Sequence, residues 1–291
     1  MVFLDGFGLG PDDREVNPVL RARTPVFDEF LEGARLVRGL GPVITGRAVL
    51  VPTDATLGMA GLPQSATGQT TLLTGVNAAR AAGRHVNAYP TPVLKELLAA
   101  HSLFRRLKDL GFTTTLANAF SKEYFDMVEA GMRQHTAITV AALAAGVRLR
   151  SLDDLAQGNA AYHDLTNELL RQRGHDVPVV EATRTGANLA SLALAHDFCL
   201  FEHFLTDMIG HSQDMEAAVK LVERIDSFVG ALLEGVSRAD CLAVITSDHG
   251  NIEDLSVRTH TANPVPTIII GQGAPELARQ IAGLADIAPA V

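Results

Sequence analysis

Hydrophobic and polar positions along this chain fall into two alternating patterns. Short apolar-rich runs at Met1–Leu4, Ala48–Val51, Phe198–Leu205, Cys241–Thr246 and Pro266–Ile270 read as buried strands. Between them the apolar positions take helical spacing. Val26, Phe27, Phe30 and Leu31 form a stripe behind Thr24, a predicted N-cap, and Pro25 at the first helical position. A second helix runs from about Ser65 through Thr71, Leu72 and Leu73 toward Val76. A third is predicted from Thr91 through Leu94, Leu97, Leu98, Leu103, Phe104 and Leu107, and the threonine-rich stretch 112–120 follows as a strand. Helices at Leu189–Ala195, Met215–Val236 and from Pro275 onward complete the alternation. Strands alternating with helices of this length predict an α/β fold, a three-layer αβα sandwich whose mostly parallel central sheet is covered on both faces.

The pattern changes between 121 and 187. That stretch holds helical segments at His135–Ala145 and around His163–Arg173, little strand pattern, and the basic residues Lys122, Arg133, Arg148, Arg150, Arg171 and Arg173. It reads as a small, mainly helical cap inserted between a first core part, 1–120, and a second, 188–291. Most of its charges are expected on solvated faces.

Composition narrows the class. With 291 residues, 47% hydrophobic and 20% charged, the chain can bury a large core and fits a globular protein. Its 24 basic and 33 acidic residues leave a net charge of −9, which argues against a surface built to neutralise nucleic-acid phosphates. The two cysteines, Cys199 and Cys241, lie in apolar runs and read as free core thiols. No run reaches the roughly 20 apolar residues that cross a bilayer, and no signal segment opens the chain, so the expected setting is cytoplasmic. The first strand has only four residues before Asp5 and reads as clipped, with a start further upstream expected.

The stretch ITSDHGNIED carries the strongest chemical signal. An apolar run that stops at Asp248-His249-Gly250 delivers a carboxylate and an imidazole to the carboxyl edge of a sheet, where open α/β folds bind ligands. Asp5 in LDGFGLG, Asp207 with His211 in TDMIGHS, and His260 in RTHTANPVP stand in comparable places. Three aspartates and three histidines without a cysteine form a ligand set suited to Mn²⁺, Zn²⁺ or Mg²⁺. The glycines after Asp5 lack the spacing of a dinucleotide fingerprint and read instead as room for a tight turn beside its carboxylate. Ser65, at the start of its helix, has two readings: an N-cap, or a hydroxyl meeting a phosphate held by the helix N-terminus.

In these motifs the sequence resembles the alkaline phosphatase superfamily, in its metalloenzyme branch with cofactor-independent phosphoglycerate mutase and phosphopentomutase. The matching residues are Asp5-Gly6, Ser65-Ala66-Thr67-Gly68-Gln69, Asp207 with Gly210-His211, Ser247-Asp248-His249-Gly250-Asn251, His260 before Pro264-Val265-Pro266, and 284–289. They run from end to end of the chain and leave only the cap unmatched. The resemblance implies an alkaline phosphatase-like core and two divalent metal ions. One would be held by Asp207, His211 and His260, the other by Asp5, Asp248, His249 and the hydroxyl of Ser65, the implied nucleophile. The family often has His where this chain has Gln69. Gln69, Arg84, His85, Asn87 and Lys122 are the candidates for substrate binding.

The implied chemistry is transfer of a phosphoryl group from a small phosphorylated substrate to Ser65, with metal coordination activating the hydroxyl. Hydrolysis of a small phosphate ester through phosphoserine is the first expectation. A phosphomutase returning the group to a second hydroxyl is the alternative, decided by how well the cap excludes water. A sulfatase is disfavoured because Ser65-Ala66-Thr67-Gly68-Gln69 lacks the Cys/Ser-x-Pro-x-Arg context. A non-catalytic metal-stabilised protein predicts a missing ligand or nucleophile, and none is missing.

Overall fold

The structure, a computed structural model, describes residues 1–236 and 241–291. Nine strands occur among them: β1 (Val2–Leu4), β2 (Val43–Ile44), β3 (Ala48–Thr53), β4 (Thr114–Leu116), β5 (Ala119–Phe120), β6 (Arg150–Ser151), β7 (Phe198–His203), β8 (Ala243–Thr246) and β9 (Val265–Ile270). Seven form the central sheet in the order β2-β3-β9-β8-β1-β7-β4. The stretch β8-β1-β7-β4 is parallel, with Val2 opposite Ile245 on one side and Phe201 on the other. β9 runs antiparallel to both β8 and β3, and β2 antiparallel to β3. Five strands therefore point one way and two the other. Pro52 and Pro266 face each other across β3 and β9, a pairing in which neither residue has an N–H to leave unsatisfied.

The two-residue period of the strands divides the core in two. Val2, Leu4, Leu50, Cys199, Phe201, Ile245 and Ile268 enter one apolar cluster, and Phe3, Val49, Val51, Phe198, Leu200, Val244 and Ile269 the other. The first face is covered by the helices Pro25–Phe30, Ala182–Leu194 and Met215–Val236, through residues such as Phe27, Leu189, Leu221, Ile225, Phe228 and Leu232. The second is covered by Ser65–Thr74, Pro92–His101, Leu103–Asp109, Ala137–Ala144 and Ala274–Ala278. Burying both faces is what lets the strands be continuously apolar. The expected three-layer αβα sandwich is the observed architecture.

Several elements differ from their sequence reading. The single helix expected from Thr91 is two, because Ser102 takes an extended conformation and accepts a hydrogen bond from the Arg105 N–H, capping a new helix. The strand expected over 112–120 splits into β4, in the main sheet, and β5, which pairs with β6 in a separate two-stranded sheet. The helix before β7 starts at Ala182 rather than Leu189. Between 163 and 173 only Glu168–Gln172 is helical, since the Asp164 carboxylate accepts the N–H groups of Thr166, Asn167 and Leu169 in a turn. Within 121–187, Ala137, Ile138, Ala141 and Ala142 join the second core cluster, whereas Leu155, Ala160, Tyr162, Leu170 and Val177 pack with Ala119 in a small cluster of their own. Among the described residues, no helix is long and apolar enough to cross a membrane.

Candidate metal centre

Each candidate ligand reaches the carboxyl edge of the sheet by a different local route. Asp5 follows β1, and its N–H extends the β1–β7 pairing by donating to the His203 carbonyl at 2.8 Å. Asp248 and His249 follow β8. Asp207 and His211 lie four residues apart on the helix Leu205–Ser212 after β7, so both project from one face. His260 precedes β9, and it joins residues that follow strands because β9 is antiparallel and begins where β8 and β1 end. Gly6 supports the close approach with a φ of +67°, and a Cβ there would lie 2.9 Å from Oδ1 of Asp207.

These residues form two adjoining groups, Asp5 with Asp248 and His249, and Asp207 with His211 and His260, the candidate donor atoms of each group lying within 4.8 Å of one another. In the first, His249 Nε2 is 3.2 Å from Asp5 Oδ1, 3.6 Å from Asp248 Oδ2 and 3.0 Å from Ser65 Oγ. In the second, Asp207 offers Oδ1 to His260 Nε2 and Oδ2 to His211 Nε2, each at 3.4 Å. The His249 and His260 rings stack at 3.8 Å, so the groups share a wall. Asn251 donates to Asp207 Oδ1 at 2.7 Å, and Gln69 donates to Asp5 Oδ2 at 3.2 Å.

The three histidines of the site are turned the same way. The Nδ1 atoms of His211, His260 and His249 lie 2.7, 2.8 and 3.3 Å from the carbonyl oxygens of Arg258, Pro63 and Gly250. A carbonyl only accepts, so Nδ1 carries the hydrogen and Nε2 presents its lone pair to the carboxylates, the arrangement of metal-ligating imidazoles. Nε2 atoms that face carboxylate oxygens call for positive charge between them, either a proton on Nε2 or a metal cation. Asp5 Oδ1 and Asp248 Oδ2 are correspondingly buried without a hydrogen-bond partner. The residues therefore fit divalent cations.

The electrostatics point the same way. Burial pushes the Asp5 and Asp248 carboxyls up, Asp248 the further, with the neighbouring aspartates adding to the rise. Burial opposes charge on His249 too, but Asp248 and Asp5 outweigh it and hold the imidazole up to about 10. Burial and the adjacent His249 push His260 down to about 4.

Ser65 is the first residue of its helix. The cap position belongs to Gln64, which makes no side-chain capping bond, so the N-cap reading of Ser65 does not hold. Its hydroxyl stands at the positive end of a buried ten-residue helix, beside His249. Of the other sequence candidates, Gln69 is buried against Asp5, while Arg84 and Asn87 are exposed. His85 has both ring nitrogens buried without a partner, and its neighbour Val86 accepts the Thr67 N–H and donates its own N–H to the Thr67 hydroxyl oxygen near the start of the Ser65 helix. Lys122 is exposed and paired with Asp126 on its own helix at 2.7 Å, the pairing that raises its pKa. The sequence reading did not assign roles to Asn251 or Glu253, although both stand in the DHGNIED stretch that opened the chemical argument.

Comparison with known proteins identifies the family and the fold. The family described as the Metalloenzyme superfamily matches residues 1–291. The 2,3-bisphosphoglycerate-independent phosphoglycerate mutase of Clostridioides difficile (strain 630) is 39% identical over 104 residues, 33% of this chain and 20% of that protein. The enzyme of the same name from Staphylococcus aureus (strain Mu50 / ATCC 700699) is 31% identical over 150 residues, 50% of this chain and 27% of that protein. The aligned part thus spans only about a fifth to a quarter of these relatives' length. Among solved structures, the PH0037 protein from Pyrococcus horikoshii superposes with a TM-score of 0.59 at 14% identity, over 99% of this chain and 95% of that one. The alkaline phosphatase from the Antarctic bacterium TAB5 gives 0.54 at 13% identity with the same coverage. Both likenesses concern the fold.

Proposed function

The chain belongs to the Metalloenzyme superfamily, and from that premise we propose that it is a metal-dependent phosphoryl-transfer enzyme that hydrolyses a small phosphate ester through a phosphoserine at Ser65. The observation that carries the reading is the Ser65 hydroxyl, 3.0 Å from His249 Nε2, at a helix N-terminus beside two groups of metal-type ligands. Asp5, Asp248, His249 and Ser65 would hold one divalent ion, and Asp207, His211 and His260 a second, with Mn²⁺, Zn²⁺ and Mg²⁺ all suited to the donors. Bound there, the ions would supply positive charge for the phosphoryl oxygens, lower the pKa of the serine hydroxyl and stabilise the leaving oxygen.

The chain's own residues do the rest. The Ser65 oxygen, its proton given up to solvent, forms a bond to phosphorus while the ester P–O bond breaks, and the alkoxide departs on the opposite side and takes up a proton from solvent to leave as the alcohol. The N-terminus of the Ser65 helix directs N–H groups at the phosphate. Gln69 orients Asp5, and Asn251 orients Asp207, through the hydrogen bonds they donate. Arg84, His85, Asn87 and Lys122 remain the proposed contacts to the rest of the substrate. Water attacking the phosphoserine would then release phosphate and restore the hydroxyl.

The second reading is a phosphomutase, favoured by the identity to the two phosphoglycerate mutases. Segment 121–187, proposed as the cap, would have to retain the dephosphorylated product for it. The protein loaded with Mn²⁺ or Zn²⁺ should release free phosphate from sugar phosphates, phosphoglycerates or p-nitrophenyl phosphate. Isomer formation without free phosphate would install the mutase reading instead. Ser65→Ala is expected to lower kcat by roughly three orders of magnitude or more with metal stoichiometry unchanged, and a variant of full activity would remove Ser65 as nucleophile.

A further inference from the structure

Glu253 is completely buried in the same edge of the sheet and belongs to neither ligand group. Its Oε2 accepts the N–H of Gly8 at 2.9 Å and of Asn251 at 2.7 Å. Its Oε1 accepts the Thr261 hydroxyl at 2.5 Å and Asn263 Nδ2 at 3.0 Å. Among the described residues no Lys, Arg or His lies within ion-pair distance of it. Among the described residues, four neutral donors hold this buried carboxyl group.

Those donors come from two loops, the one after β1 and the β8–β9 connection to which Glu253 itself belongs. Gly8 lies three residues after Asp5, Asn251 two after His249, and Thr261 directly after His260. A Cβ at Gly8 would stand 2.5 Å from Glu253 Oε1, one at Gly250 2.2 Å from the same atom, and one at Gly10 2.2 Å from the Glu253 carbonyl. In the segment after Asp5, which fits no nucleotide-binding pattern, Gly8 leaves room for this carboxylate and Gly10 for the Glu253 backbone. Asn251, whose N–H Glu253 holds, passes the constraint on to Asp207 through its side chain.

We propose that Glu253 is a positioning residue that fixes Asp5, His249 and His260 relative to one another, so that the ligand groups are set for divalent cations before any cation arrives. Only a carboxylate can accept from all four donors at once. A glutamine keeps one accepting oxygen and turns an NH₂ toward groups that themselves donate. The inference rests on the metal-centre part of the proposed function and not on which phosphate ester is cleaved.

The test is calorimetric titration of Mn²⁺ into the full, metal-stripped chain, with thermal melting of each stripped protein measured alongside. Glu253→Gln should bind Mn²⁺ about 10- to 100-fold more weakly, the range seen when the partners of metal ligands are removed. Thr261→Val, which deletes one donor, should lose about tenfold, and Thr261→Ser, which restores the hydroxyl, should return to within about twofold of the parent. Should Glu253→Gln fail to fold, the two Thr261 variants decide the matter. Parental Mn²⁺ affinity in Glu253→Gln or Thr261→Val, with only the melting temperature lowered, would make Glu253 a packing element and overturn the proposal. A parent that binds Mn²⁺ but cleaves no phosphate ester would sink the enzymatic reading while leaving this result to stand. A parent that binds no Mn²⁺ would overturn both.

Discussion

At the scale of single residues, the site is built from small steric and tautomeric choices. His211, His249 and His260 each face a carbonyl with Nδ1, which aims Nε2 inward without any charged partner on the outer side. Gly68 shows how close the elements stand. Alanine is a better helix former than glycine by about 1 kcal/mol, so Gly68→Ala would stabilise an uncrowded helix. Here the new Cβ would lie 2.8 Å from Asp248 Cβ and 2.9 Å from its carbonyl oxygen. Overpacking against fixed backbone costs about 1–3 kcal/mol, so the steric effect wins. Gly68→Ala should melt at a lower temperature and bind Mn²⁺ more weakly, and a raised melting temperature would refute the argument.

At the scale of elements, partners distant in the chain override local signals. Thr24 occupies the predicted cap position but makes no capping bond, and the Asp226 carboxylate accepts the N–H groups of Val26 and Phe27 instead. The Ser65 helix is rich in threonine yet buried along its whole length. Thr70, Thr71 and Thr74 make this tolerable by donating their hydroxyls to carbonyls four residues back. The short helix Leu152–Ala156 depends on Asp154, which closes a capping box with Ser151 and pairs with Arg148 at 2.7 Å. The Arg148 guanidinium, followed by the Ser151 N–H, holds its carboxyl well below the usual range. A depressed folded-state pKa adds stability above the unfolded aspartate value of about 3.9, and that contribution is lost as pH falls toward the folded value. The melting-temperature gap between the parent and Asp154→Asn should therefore be present at neutral pH and close in acid. A gap independent of pH would contradict the pairing.

At the scale of the whole molecule, a chain of net charge −9 gathers three aspartates at one edge, Asp5 and Asp248 buried and Asp207 partly so, the opposite of what a phosphate dianion needs until cations are added. Cations that bind the folded chain alone must stabilise it, by about 2.7 kcal/mol at a hundredfold excess over Kd. Mn²⁺ should raise the melting temperature and a chelator should reverse the rise. Because carboxylate oxygens and Nε2 bind metal only when free of protons, the rise should shrink as pH falls. A Mn²⁺ effect that is absent, or equal at acid and neutral pH, would speak against the centre.

The sequence by itself determined the layered fold and which carboxylate and imidazole side chains stand at the ends of its strands. Continuous apolar runs mean strands buried on both faces, and carboxylates and imidazoles at the ends of such runs are led to one edge by chain direction alone. Asp207 and His211 could be read as a pair because helical spacing is local. Assembly was decided only in three dimensions. His260 reaches the site because β9 runs against its neighbours, a pairing that no local pattern records. The capping by Asp226 and the bond from the Gly8 N–H to Glu253 likewise depend on contacts between residues far apart in the chain. Local spacing fixes which face a side chain occupies, whereas its partners are set by packing, where the burial of each polar group forces it to find a donor or acceptor wherever the fold supplies one.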